Sequence, residues 1–291
     1  MKQIISLLIA AVLCISLTGC ERSQPTTQIV ATTLPVYEFT TRLCSGTDLQ
    51  ISRLVTENVS CLHDYTLQTR QMRSIEEADV IVTSGSGLEE FLTDSLPTTA
   101  KVIDASVGIS LACSDHDHTD AHNHHHDQDP HIWLSPANAK QMAETIYKEL
   151  IRIYPGHADL MKDNLVSLTL DLDKLEADAA AQLANLSCRE LITFHDGFSY
   201  MAEAFDLSIV RAIEEESGSE ASAAELIDLI HTVTDHKLNV IFTERNGSSA
   251  AAEIIAAETG VCIYQLDMAI SGDSYFDAMY HNINTLKEAL E

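Results

Sequence analysis

Short apolar segments alternate with helical segments along most of this chain, and no other feature constrains its fold more. In the first half the apolar runs lie at 28–33, 49–55, 80–83 and 101–104. The pattern restarts after residue 187, with apolar runs at 190–194, 207–213, 239–243 and 261–266. Strands that alternate with helices pair in parallel through helical crossovers. The sequence therefore predicts an α/β fold with parallel sheets.

Two longer helical segments separate these α/β regions. Apolar residues recur at helical spacing over 137–152, and Pro155-Gly156 ends that helix. The helical run over 157–186 is about 45 Å long at about 1.5 Å per residue, while a short helix is predicted at 88–94. We therefore expect two α/β lobes joined by a long connecting helix. The predicted boundaries are 28–135 for the N-terminal lobe, 136–186 for the connecting helices and 187–291 for the C-terminal lobe.

The first residues of the chain indicate export. Residues 4–17 form an uncharged apolar run that is shorter than the roughly 20 residues of a spanning helix and has the layout of a secretory signal. The run ends at Leu17-Thr18-Gly19-Cys20, which resembles the lipobox of bacterial lipoproteins and implies cleavage before Cys20 and acylation of its thiol. An uncleaved signal anchor is the alternative. We expect a signal peptide at 1–19, a tether at 20–27 and a lipid anchor at the outer face of the bacterial cell membrane.

The charge of the chain restricts its partners. It has 44 acidic residues against 17 Lys and Arg, a formal net charge of −27 at pH 7. Binding to nucleic acid needs clustered Lys and Arg, so nucleic acid is not an expected partner. An acidic surface attracts cations, although solubility explains the same composition equally well.

A histidine-rich stretch interrupts the α/β pattern. Between His116 and His126, six of eleven residues are histidine, interleaved with Asp and Asn. Neutral imidazole is the commonest metal-binding side chain, and short histidine-rich tracts are typical of metal binding. We predict that residues 115–127 form an auxiliary metal-binding loop. Its histidines are His116, His118, His122, His124, His125 and His126.

Metal-competent side chains also follow several predicted strands. They are His63, His131, His195 and Asp267. Ligands of open α/β sheets bind beyond the carboxyl ends of the strands, and two of these residues come from each lobe. Three imidazoles and one carboxylate suit tetrahedral Zn²⁺, although Mn²⁺ and Fe²⁺ also accept nitrogen and oxygen ligands. The sequence predicts a metal site in the cleft between the lobes.

Three of these residues stand in recognisable motifs. Asp129-Pro130-His131-Ile132-Trp133-Leu134-Ser135-Pro136, Phe194-His195-Asp196-Gly197-Phe198 and Leu266-Asp267 resemble the ligand segments of the metal-binding solute-binding proteins of bacterial ABC importers for zinc and manganese. The family more often has Ala at position 197. The resemblance extends over the whole chain after the tether, and it implies a long connecting helix with small hinge motion. A histidine-rich insertion before the second ligand is typical of its zinc branch.

The first ligand departs from the family pattern. The family usually has Pro-His-x-Tyr-Glu, whereas this chain has Cys61-Leu62-His63-Asp64-Tyr65-Thr66. We assign His63 as the ligand, and Cys61 competes for this role because thiolate also binds zinc. A disulfide between Cys61 and Cys44 would give Cys61 a structural role instead. The pairing of the cysteines after Cys20 stays open, namely Cys44, Cys61, Cys113, Cys188 and Cys262.

The resemblance also suggests a role for Glu244, in Phe242-Thr243-Glu244 at the end of a predicted strand. A carboxylate there can orient a ligand histidine by hydrogen bonding to its second ring nitrogen. The alternative is an ordinary carboxylate at a strand end, near the N-terminus of the next helix.

The resemblance implies a receptor that captures Zn²⁺ and delivers it to the membrane permease subunits of an ABC importer, as a monomer and without enzymatic activity. Within the same family, Mn²⁺ is the competing cargo. A surface adhesin or metal buffer is also compatible with the sequence, and a zinc hydrolase is less favoured. Against a hydrolase, the chain has no His-Glu-x-x-His helix, and Ser84-Gly85-Ser86-Gly87 lacks the glycine that precedes the serine of a nucleophile elbow by two residues.

Overall fold

The strands of the protein form two sheets of four parallel strands. A computed structural model describes residues 28–59, 62, 65–111, 129–213 and 222–291. Within these ranges the strands are β1 (Gln28–Ala31), β2 (Gln50–Arg53), β3 (Val80–Thr83), β4 (Lys101–Asp104), β5 (Glu190–Thr193), β6 (Ser208–Ala212), β7 (Val240–Glu244) and β8 (Cys262–Leu266). The first sheet has the order β2-β1-β3-β4 and the second β6-β5-β7-β8. All neighbouring strands are parallel, so the carboxyl ends of all four strands lie at the same edge of each sheet.

Helices connect the strands as the sequence pattern predicts. In the described ranges they are α1 (Leu34–Leu43), α2 (Thr69–Glu76), α3 (Pro136–Ile153), α4 (Ala158–Gln182), α5 (Ser199–Ala204), α6 (Ala223–His236), α7 (Ala250–Thr259) and α8 (Tyr275–Leu290). The predicted architecture of two α/β lobes with parallel sheets and a long connecting helix is confirmed. The boundaries at 28–135, 136–186 and 187–291 stay predictions.

The connecting helix α4 packs against helices of both lobes. It has 25 residues, which corresponds to about 38 Å, and it ends at Gln182, earlier than predicted. It contacts α3 and α1, and it also contacts α8 of the C-terminal lobe. Its buried residues recur at helical spacing and are Met161, Leu168, Leu172, Leu175 and Ala179.

The short helix predicted over Leu88–Asp94 is present, but it is shifted by about two residues and is not an α-helix. The structure has a 3₁₀-helix there, Glu90–Ser95, with Leu92 as its buried residue. Leu96 separates this helix from Pro97, and the residue before a proline is held out of the helical region. Leu96 accordingly has an extended backbone with ψ of 124°. A segment this short, with one buried apolar position, has too little core contact to form a full α-helix.

The segment that follows β8 joins the two lobes. The indole Nε1 of Trp133 donates to the carbonyl of Met268 (2.7 Å), and the hydroxyl of Tyr275 donates to the carbonyl of Trp133 (2.8 Å). The backbone N–H of Leu34 donates to the carbonyl of Ile270 (3.1 Å). Trp133 and Tyr275 are fully buried. The residues just after β8 are therefore fixed against the segment that begins α3.

Some of the sequence predictions fall on residues that the structure does not describe. They are the signal peptide at 1–19, the tether at 20–27 with Cys20, and the histidine-rich loop at 115–127. None of the described helices combines the length and the apolar character that crossing a membrane requires. Among the described cysteines, Cys44, Cys188 and Cys262 form no disulfide; Cys61 and Cys113 lie outside the described residues.

Candidate metal centre

Three of the predicted site residues stand at strand ends of the second sheet. His195 follows the last residue of β5 by two positions, Glu244 is the last residue of β7, and Asp267 comes directly after β8. These strands are neighbours in the order β5-β7-β8. Because their carboxyl ends meet at one edge, the sheet itself brings these side chains to the same region.

His131 reaches the site from a different type of structure. It precedes a single 3₁₀ turn, Ile132–Leu134, and then helix α3. Pro136 at the first helical position and Ser135, whose Oγ accepts from the N–H of Asn138, fix the start of that helix. The His131 side chain is 1% exposed. The turn and the helix start thus hold the imidazole rigidly although it is not on a strand.

Asp129 orients the ring of His131. Its Oδ1 lies 2.8 Å from His131 Nδ1 and accepts from the His131 backbone N–H at 2.9 Å. Burial alone would raise the pKa of Asp129, but the hydrogen bonds and charge of His131 hold that pKa below its ordinary value. An ionised Asp129 accepts a hydrogen bond from Nδ1–H of the neutral ring, and this tautomer leaves the lone pair of Nε2 available to a metal.

The two histidines meet through their Nε2 atoms. His131 Nε2 and His195 Nε2 are 3.5 Å apart, and the rings cross at 82° with centroids 5.0 Å apart. Two nitrogens that bind one tetrahedral Zn²⁺ at about 2.0–2.1 Å lie about 3.3 Å from each other. On the other side of its ring, His195 Nδ1 lies 3.6 Å from Glu244 Oε1. The pair has the spacing of two ligands of one metal ion.

Gly197 allows this close approach. A Cβ at position 197 would lie 2.5 Å from His195 Cδ2, 2.8 Å from His131 Nδ1 and 2.7 Å from the terminal carbon of Met268. These distances are shorter than van der Waals contact, so any larger residue forces one of the rings or Met268 to move. The backbone of residue 197 is therefore part of the packing around both imidazoles, and Met268 brings the chain next to Asp267 into the same packing.

Asp267 is held by other groups than the histidines. Its Oδ1 accepts from the N–H of Ala269 (2.8 Å), and its Oδ2 pairs with the Nη1 of Arg245 (3.1 Å). The amide of Asn282 binds both the N–H and the carbonyl of Asp267, each at 2.7 Å. Across the described ranges, no three His, Cys, Asp or Glu side chains form a group that could hold a metal ion. The structure thus brings His131 and His195 together, with Glu244 beside them, and leaves Asp267 engaged elsewhere.

His63 and its competitor Cys61 lie outside the described residues, as do the six histidines of the histidine-rich loop. The residues on either side of position 63 are anchored. The hydroxyl of Ser271 accepts from the N–H of Val59 (3.2 Å) and donates to its carbonyl (2.9 Å). On the other side, the hydroxyl of Tyr65 donates to Glu57 Oε2 (2.8 Å). Val59 is therefore attached to the chain that follows Asp267.

Sequence reasoning missed Asp129 and Arg245. Asp129 had a local signal, because an Asp two residues before a ligand histidine can reach both its backbone N–H and its ring. Arg245 had none, since its contact with Asp267 depends on how β7 and β8 are aligned. In that alignment Glu244 pairs with Leu266, which places Arg245 opposite Asp267.

The chain matches one protein family over nearly its full length. The sequence model of the family described as zinc-uptake complex component A, periplasmic (ZnuA), matches residues 29–289. The zinc-binding lipoprotein AdcA of Streptococcus pneumoniae is 29% identical over 312 residues, which cover 100% of this chain and 62% of AdcA. A crystal structure of ZnuA has 29% identity and a TM-score of 0.80, and the match covers 91% of this chain and 100% of that one.

A zinc-loaded relative has the same fold. The Zn(II)-bound ZnuA-like domain of Streptococcus pneumoniae AdcA is 27% identical with a TM-score of 0.76, and the match covers 91% of this chain and 99% of that domain. The chain spans 55% to 62% of the length of the streptococcal AdcA proteins that it matches. Because the family match includes both lobes and the segments of His131, His195 and Asp267, the chain belongs to the ZnuA family of periplasmic zinc-uptake components.

Proposed function

We propose that the protein is an extracytoplasmic receptor that binds Zn²⁺ and delivers it to an ABC-type importer. The observation that carries this proposal is the His131–His195 pair, whose Nε2 atoms are 3.5 Å apart as in a tetrahedral zinc site. Family membership supports the same function, and the zinc-bound domain of AdcA shows that this fold holds zinc in a relative.

The proposed ligands are His63, His131, His195 and Asp267, in a cleft between the lobes. Glu244 lies 3.6 Å from His195 Nδ1 and orients that ring from outside the ligand set. A fourth protein ligand leaves no open position for a reactive water, and catalytic zinc sites keep such a position. The proposed site therefore binds metal without catalysing a reaction, and the protein is not an enzyme.

The proposed route of the metal begins outside the cytoplasmic membrane. Acylation of Cys20 anchors the protein at the outer face of that membrane, and the histidine-rich loop at 115–127 collects metal near the site. The loaded protein, a monomer, then docks on the permease subunits of the importer. The AdcA relative is described as a lipoprotein, which supports this location.

Metal analysis and competitive titration of the chain without its predicted signal peptide test the proposal. We expect one tight Zn²⁺ per chain, with Mn²⁺ far weaker, and the tight site should survive deletion of residues 115–127. Zinc binds neutral imidazole, so affinity should fall as the pH drops below about 6.5. Loss of the tight zinc together with the loop would instead indicate a surface metal buffer, and preference for Mn²⁺ would indicate a manganese receptor.

His195→Ala tests the assignment of the site itself. Removal of one of four ligands should weaken zinc binding by at least about 100-fold, because the remaining ligands no longer enclose the ion. His236→Ala is the matched control. His236 also pairs with a glutamate, Glu190, at 3.0 Å, but on the exposed surface of the C-terminal lobe. Equal zinc affinity of the His195 variant and the wild type would reject the proposed site.

A further inference from the structure

Arg245 forms an ion pair with Asp267, one of the four proposed ligands. Its Nη1 lies 3.1 Å from Asp267 Oδ2, and the two side chains are 52% and 17% exposed, respectively. The other oxygen of Asp267, Oδ1, already accepts from the N–H of Ala269. Both carboxylate oxygens are therefore engaged, and Oδ2 is engaged by a cation.

The backbone of Arg245 is fixed while its side chain extends toward solvent. Its N–H donates to the carbonyl of Leu266 at 2.7 Å, and a turn follows in which the N–H of Gly247 donates to the carbonyl of Glu244 at 3.2 Å. Asn246 within this turn has a φ of 68°. The root of the side chain is thus held opposite Asp267, but the guanidinium can rotate away into water.

Asp267 does not need Arg245 to be positioned. Asn282, which is fully buried, binds both the N–H and the carbonyl of Asp267. The N–H of Ala269 then fixes the carboxylate through Oδ1. The ion pair with Arg245 is the one solvent-exposed interaction among these, and exposed ion pairs are weak. Its removal should therefore leave the carboxylate in place.

We infer that Arg245 is an internal cation that competes with the metal ion for Asp267 and so limits the affinity of the site. This inference rests on the proposed function, because it needs Asp267 as a ligand. A guanidinium stays protonated at every physiological pH, so it repels a divalent ion and must leave Oδ2 when the ion binds. When the ion departs, Arg245 returns to the carboxylate and lowers the free energy of the empty site, which favours release.

The competition predicts that loss of the charge tightens binding. We expect Arg245→Gln to lower the dissociation constant for Zn²⁺ on the order of fivefold, the size of a partly exposed ion pair. The measurement is a titration of the full chain with Zn²⁺ against a chelator of known affinity. In the Asp267→Asn background, the Arg245→Gln change should have no effect, since the contested carboxylate charge is gone.

Arg211→Gln is the matched control. Arg211 pairs with Asp228 at the same distance, 3.1 Å, and the side chains are 40% and 58% exposed. The variant makes the same change in net charge elsewhere on the acidic protein, so it should leave zinc affinity unchanged. Equal tightening by both Arg variants would show a general charge effect and overturn the inference.

Two further outcomes separate the inference from the proposed function. Weaker zinc binding by Arg245→Gln would show that Arg245 supports Asp267, and unchanged binding would show that it does not compete; each overturns the inference while His195→Ala still abolishes tight binding. If His195→Ala also leaves the affinity unchanged, the proposed function fails first. Thermal unfolding of the metal-free variants should stay close to wild type, which shows that affinity changes do not arise from a damaged fold.

Discussion

Each lobe has a buried glutamate at or beyond the end of an equivalent strand, and the two glutamates make different contacts. β3 and β7 occupy the same position in their sheets. After β3, Glu89 accepts from the hydroxyl of Thr32 (2.6 Å) and from the N–H groups of Ser84 (2.7 Å) and Gly85 (3.0 Å). At the end of β7, Glu244 instead lies 3.6 Å from the ring of His195.

This difference shows that equivalent strand ends of two similar sheets need not have the same role. In the N-terminal lobe, the carboxylate of Glu89 accepts hydrogen bonds from the segments that follow β1 and β3. The protein's own groups therefore occupy the carboxyl ends of these two strands. In the C-terminal lobe the edge presents Glu244, His195 and Asp267 as side chains. In the N-terminal lobe, the proposed ligand His131 instead precedes a 3₁₀ turn.

The largest effect should come from removal of the Glu89 carboxylate. Glu89→Ala leaves two buried N–H groups and one hydroxyl without their acceptor, and each such group costs about 1–3 kcal/mol. We expect the free energy of unfolding to fall by about 4 kcal/mol in chemical denaturation. A loss below about 1 kcal/mol would mean that Glu89 does not hold this edge together, and the contrast between the lobes would not stand.

Glu89 should also make the stability of the protein depend on pH. Burial raises the pKa of Glu89 from an ordinary value of 4.5 to about 7, against the opposing hydrogen bonds. A carboxyl whose pKa is higher in the folded protein binds its proton more tightly there. Its contribution to stability is therefore present below the unfolded pKa and is lost as the pH rises through the folded pKa.

Glu89→Gln isolates this contribution because glutamine does not titrate. From about pH 5 to about pH 8, the unfolding free energy of the wild type should fall by about 2 kcal/mol relative to this variant. Urea denaturation at several pH values measures the difference. A constant difference across that range would show that Glu89 has the same pKa in the folded and unfolded protein.

Glu244→Gln should act on metal binding. The change removes the charge 3.6 Å from His195 Nδ1. If Glu244 supports this ring as proposed, its loss should weaken metal affinity by about 10- to 100-fold. Glu190→Gln removes the partner of the surface histidine His236 and serves as the control, with unchanged affinity expected. Equal zinc affinities for the two variants would show that Glu244 does not support metal binding. Its role would then not differ from that of Glu89 in function.

The smallest effect concerns the connection between the lobes. Ser271→Ala removes two hydrogen bonds to Val59, four residues before His63. We expect a loss of about 1 kcal/mol in stability. If His63 is a ligand as proposed, we also expect a several-fold loss in zinc affinity, since Val59 loses its attachment to the chain after Asp267. Ser187→Ala, which removes a hydroxyl bound to the carbonyl of Leu290 at 2.8 Å, should affect stability alone. A loss of affinity in the control as well would show that Ser271 has no specific link to the site.

Much of the architecture could be predicted because it depends on local pattern. The strand at 80–83 and the helix Tyr275–Leu290 have the predicted bounds, since apolar runs and helical periodicity are local properties. The short helix predicted at 88–94 proved to be a 3₁₀-helix, Glu90–Ser95, because this short segment has too little buried contact for a full α-helix.

The site was predictable only in part. His131 and His195 stand in motifs that the sequence displays, and the structure brings their rings together. Arg245 could not be found in the same way, because residues 245 and 267 become neighbours only through the pairing of two strands. The assignments of His63 and Asp267 as ligands stay predictions.

The hydrogen bond between Trp133 and Met268 gives the protein a built-in optical reporter. Trp133 is the single tryptophan of the chain. Its indole lies edge-on to the ring of His131, with centroids 5.4 Å apart, and donates to the residue after Asp267. The emission of an indole responds to its hydrogen bonding and to charge nearby. If the metal binds at His131 as proposed, intrinsic fluorescence should therefore follow its binding and release in the unlabelled protein, with a signal that comes from one indole.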